Sequence, residues 1–136
     1  MTAVLLALAI VFGIIILLLI SRFAPKPKRR LNQDYFQKRW LEILQRVKSS
    51  DDGTVLAIID ADKLVDEALK KLHFNGKTMG ERLVAAQRSL TNNDSIWYAH
   101  KLRNRLVHEP NVRLKKSEAQ MALTGFRQAL RDLGAL

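Results

Sequence analysis

The stretch 55–72, VLAIIDADKLVDEALKKL, decides the fold. Its apolar residues Val55, Ile58, Ala61, Val65, Ala68, Leu69 and Leu72 recur at the spacing that lines one side of an α-helix. Asp62 shares that face with Ile58, Val65 and Leu69. A carboxylate inside an apolar stripe needs a partner, because burying it unpaired is strongly unfavourable. Arg103 can serve as that partner and would be oriented by the bridge; Arg105 or a backbone donor can serve equally well.

The same periodicity extends in both directions. Upstream, Phe36, Trp40, Ile43, Leu44 and Val47 form one stripe, ending near Ser49-Ser50-Asp51-Asp52-Gly53. Downstream, Asn75-Gly76 is expected to close the long helix. Thr78 and Glu81 have capping-box spacing for a further helix that buries Met79, Leu83, Ala86 and Leu90. Asn92-Asn93-Asp94-Ser95 supplies the cap of the next, which runs to about Glu109 and stops at Pro110. Ser117 and Gln120 are expected to cap the last helix. Its stripe is Ala119, Ala122, Leu123, Phe126, Ala129, Leu130 and Leu133, with Gly134 placed as C-cap. No segment shows period-two alternation. The expectation is an all-α protein whose residues 32–136 form a compact bundle of about five helices.

Ahead of this bundle, Ala3 to Ile20 is an uninterrupted apolar run, broken in bulk only by Gly13. As a helix it would span about 27 Å, so residues 1–22 read as an N-terminal transmembrane anchor. A cleaved signal peptide fits less well: nothing basic precedes the run, and Ser21 to Pro25 make a poor cleavage site. Residues 23–31 read as a basic juxtamembrane linker, stiffened by Pro25 and Pro27. Arg22, Lys26, Lys28, Arg29 and Arg30 place this side in the cytoplasm by the positive-inside rule, and membrane lipid is a partner. The expected location is therefore the cell membrane, single-pass, with the helical domain cytoplasmic.

Of the net charge of +10, half belongs to that collar. The remainder is a moderate bias that permits an anionic partner. The chain has no cysteine, which excludes disulfides, thiolate metal sites and thiol nucleophiles. It also carries no P-loop, no dinucleotide-binding glycine pattern and no serine-nucleophile elbow. His100 and His108 lack a well-placed carboxylate, so no metal and no cofactor are expected.

The helix through residues 96–108 carries the chemistry. Tyr98, Ala99, Leu102 and Leu106 gather on one side as a core stripe. Ile96, His100, Arg103, Asn104, Val107 and His108 gather on the other, and Ile96 and Val107 suggest a second contact surface there. The hexapeptide Arg103-Asn104-Arg105-Leu106-Val107-His108 resembles the signature of the HEPN superfamily of helical domains. The resemblance implies metal-independent RNA cleavage at a site shared by two protomers, hence a homodimer acting on RNA. It makes His108 the acid/base group, Arg103 the phosphate clamp and Asn104 an orienting hydrogen-bonder, with Asp62 and His100 in support. Lys101, Arg105, Arg113, Lys115 and Lys116 then form a basic surface for the RNA backbone. Many members of that superfamily are non-catalytic, so the alternative is a module holding RNA or a protein at the membrane face. A toxin role, in which a neighbouring antitoxin restrains the domain, also fits the sequence.

Overall fold

The computed structural model describes residues 2–23 and 30–136, with side chains described for 6–19 and 30–136. Among the described residues six α-helices follow one another: α1 (Thr2–Phe23), α2 (Gln33–Val47), α3 (Asp51–Lys71), α4 (Met79–Ala86), α5 (Asn93–His108) and α6 (Lys116–Asp132). A single 3₁₀ turn, Gln87–Ser89, extends α4, and the described residues contain no strand. The all-helical expectation is met. The expected Pro25–Pro27 spacer, and Lys26, Lys28 and Arg29 of the collar, lie outside the described residues.

The transmembrane expectation is corrected. Among the described residues, no helix is long and apolar enough to cross a membrane. The large apolar side chains of α1, from Leu6 to Leu19, are 39–67% exposed and join no core.

α3 is the centre of the bundle. It packs against α2, α4, α5 and α6, while α5 lies along α6. Its stripe is sealed: Ile58, Ala61, Val65, Ala68 and Leu69 are fully buried. Phe36 from α2, Leu83 from α4, Ile96 and Ala99 from α5 and Phe126 and Leu130 from α6 close around it. α6 comes close to α5 at Gly125. A Cβ built there would sit 2.6 Å from the Ser95 carbonyl oxygen, so only glycine lets α5 and α6 approach this closely.

Most end signals behave as the sequence reads. The Thr78 hydroxyl accepts from the Glu81 N–H at 3.2 Å, and the Asn92 side chain accepts from Ser95 N–H at 3.0 Å. Gly134 has φ +74°, and Ala135 N–H donates to the Leu130 carbonyl, forming the expected glycine C-cap after α6. Three readings shift. α3 ends before Asn75-Gly76, with His73 (φ 61°) taking the left-handed position and Phe74 N–H donating to the Leu69 carbonyl. α6 begins at Lys116, and its N-cap is Lys115 rather than Ser117; the Glu118 carboxylate accepts from the Lys115 N–H. Ile96 is fully buried, because α5 is covered on that side too, while Tyr98 of the expected core stripe is 36% exposed. The second contact surface read from Ile96 is therefore part of the core, and of its apolar pair only Val107 is exposed.

A carboxylate-centred polar cleft

Helix periodicity puts Asp62 inside the bundle, and α5 brings it partners. Asp62 is 4% exposed. His100 Nδ1 lies 2.8 Å from its Oδ1, and Arg103 Nε lies 3.3 Å from its Oδ2. The guanidinium contact is an ion pair by distance, off the line that a hydrogen bond requires. Of the partners open to Asp62 on sequence grounds, the structure selects Arg103. Arg105 turns away, 3.8 Å from both Glu109 and Glu118.

Asn104 closes the ring. Arg103 Nη1 donates to Asn104 Oδ1 at 2.9 Å, and Asn104 Nδ2 faces His100 Nε2 at 3.3 Å. With the amide nitrogen on Nε2, the pattern assigns the Nδ1–H tautomer to His100: its proton goes to Asp62 and its Nε2 accepts. One buried carboxylate thus fixes an imidazole and a guanidinium, and an amide ties the two together. The Trp97 ring meets His100 edge-on, with centroids 6.0 Å apart.

These four residues line a cleft of about 460 Å³ together with Lys63 and Asp66 of α3 and the start of α4 at Thr78, Met79 and Gly80. α4 is held in place by Arg82, which is 6% exposed. Its Nε and Nη2 both reach Asp66 Oδ1 at 2.7 Å, and its Nη1 donates to the Gly76 carbonyl at 2.6 Å. Burial pushes the Asp66 carboxyl up, but hydrogen bonds from Arg82 and Lys70 outweigh it and hold the group below its ordinary value.

The two acids therefore have their charge taken up within the protein, and the cleft is left with donors. The Arg103 fork has more N–H groups than its partners use. Lys63 is exposed, its nearest acid being Asp60 at 4.0 Å. Lys63, Asp66 and the start of α4 were missed in the sequence as site residues. The signal was present: Asp66 and Lys63 flank Asp62 on the same helix, and Thr78 was already legible as a cap.

His108 is not part of the cluster. It is the last residue of α5, exposed, and α5 stays helical up to it. In a regular helix it points about 140° away from Arg103. The basic residues divide as well. Lys101 is exposed and Arg105 is paired, while Arg113, Lys115 and Lys116 line a different cleft that shares no residue with this one. Comparison with protein-family models, with curated proteins and with solved structures finds no match. The likeness to the HEPN superfamily rests on the hexapeptide Arg103–His108 alone.

Proposed function

We propose that this domain is a non-catalytic helical binding module of HEPN-like type, and that its polar cleft holds a phosphate of single-stranded RNA. The observation that carries the reading is the closed Asp62–His100–Asn104–Arg103 ring beside an excess of donors. A proton-transfer histidine needs a free nitrogen, whereas both nitrogens of His100 are engaged. Among the described residues no group orients His108, as an acid/base residue requires. A preorganised Arg with neighbouring N–H donors suits an acceptor-rich phosphodiester. Attachment to the cytoplasmic face of a membrane belongs to the same proposal, supported by the exposed apolar side chains of α1 and the cations that follow it in sequence.

A second reading has its own support. His108 and Val107 are both exposed at the end of α5, where a second copy of the chain can reach them. Arg103, Asn104 and His108 would then form a metal-independent endoribonuclease site shared between protomers.

One experiment separates the two. The full chain in non-ionic detergent is mixed with fluorescent single-stranded RNA in EDTA, with anisotropy and gel readouts. The binding reading expects saturable anisotropy, at least tenfold weaker for Arg103→Ala and for the surface change Lys63→Gln, with intact RNA throughout. Cleavage by the unmodified chain that is lost in both His108→Ala and Arg103→Ala would overturn it in favour of the nuclease. Absence of any binding removes RNA from both readings.

A further inference from the structure

The larger cleft of the domain, about 800 Å³, lies where the end of α2, the start of α3 and the start of α6 meet the loop after α5. Its volume is that of a small-molecule site. One wall is apolar, with Trp40 5% exposed and Leu44 and Leu123 half-buried. The other is cationic: Arg113, Lys115 and Lys116 are exposed and have no acid partner among the described residues. Asp51 and Asp52 sit across the cleft, at the first turn of α3.

One polar group of this cleft lacks a partner among the described residues. The Trp40 indole nitrogen is buried and has no hydrogen-bond acceptor among the described residues, a costly state for an N–H group. α6, a helix of 17 residues, starts with Lys115 as N-cap, and the Glu118 carboxylate of its first turn already accepts from the Lys115 N–H at 3.0 Å. Glu118 is also shared with Arg105 at 3.8 Å, so the charge left over on this side of the cleft is that of the Arg113, Lys115 and Lys116 side chains. An anion seated among these three cations would meet charge that no acid among the described residues neutralises.

We propose that this cleft binds a small amphipathic anion. A phosphate or carboxylate head sits at the start of α6 between Arg113, Lys115 and Lys116, and an aromatic or short aliphatic body lies against Trp40, Leu44 and Leu123. The binding is independent of the polar cleft around Asp62. The domain thereby has a ligand input separate from its Arg103 surface.

The test uses the full chain in non-ionic detergent, labelled with ¹⁵N on tryptophan, and 1-naphthyl phosphate as probe. The indole signals of Trp40 and Trp97 are assigned with Trp97→Phe. The proposal expects a saturable shift of the Trp40 indole signal while Trp97 stays in place, and binding at least tenfold weaker in the surface variant Lys115→Gln/Lys116→Gln. Inorganic phosphate alone and 1-naphthol alone, at the same concentration, should each give far smaller shifts. Equal shifts with either control, parallel movement of Trp97, or indifference to the loss of both lysines would overturn it. So would a response confined to phosphatidylglycerol vesicles, which would make the cleft a lipid-headgroup contact instead.

Discussion

Changing Asp62 to Asn alters one atom of a buried group and leaves the volume of the side chain unchanged. The amide oxygen can still accept from His100 Nδ1, so its nitrogen is then turned toward Arg103 Nε, now 3.3 Å away as donor against donor. Removing one partner of a fully buried ion pair costs about 3–5 kcal/mol. The Arg103 side chain is 23% exposed and recovers part of its hydration, so the expected loss is about 2 kcal/mol. In a helical domain of this size that lowers Tm by about 8–16 °C. Tryptophan fluorescence is the assay, because Trp40 and Trp97 both lie in the bundle. Adding Arg103→Gln to Asp62→Asn removes the stranded charge, and the double variant should be more stable than the sum of the single losses implies, by about 1–2 kcal/mol. A Tm within about 2 °C of the parent, or strictly additive losses, would refute the idea that Asp62 holds Arg103.

Gly125→Ala should destabilise the fold by about 1–3 kcal/mol, because its Cβ would meet the Ser95 carbonyl oxygen at 2.6 Å and force α5 from α6. Gly80→Ala is the control: its Cβ meets the Trp97 ring at 3.6 Å, an ordinary contact, so chemical denaturation should show it neutral or stabilised. The Asp66 carboxyl lies below its ordinary value of 3.8 in the folded protein. Its contribution to stability is therefore fully present above that value and is lost as pH falls through the folded value. Asp66→Asn should flatten the decline in stability below about pH 4. An unchanged acid limb in pH-dependent unfolding would contradict the Arg82–Asp66 anchor.

Legibility of the site differed from residue to residue for physical reasons. Asp62 was visible because its helix places it among Ile58, Val65 and Leu69, and a buried carboxylate demands a partner. Which partner it takes depends on the rotation of α5 against α3, and local spacing does not carry that angle. His100 and Arg103 fall toward α3, whereas Arg105, two residues on, falls toward Glu118 of α6. The same rotation separates His108 from Arg103, which six contiguous letters cannot express. Ile96 misled because a helix covered on two sides has no single apolar stripe.

By itself, the sequence determined the helices, their caps at Thr78, Asn92 and Gly134, and the core stripe of α3, since those depend on neighbours within a few residues along the chain. The apolar character of residues 3–20 was equally plain, but composition alone did not establish a membrane span. Tertiary structure decided that Asp62 pairs with His100 and Arg103, that α4 is pinned over them by Arg82, and that the loop after α5 meets α2 to form a second cleft. Each joins residues far apart in the chain, and their geometry is set by how the helices pack rather than by any local pattern.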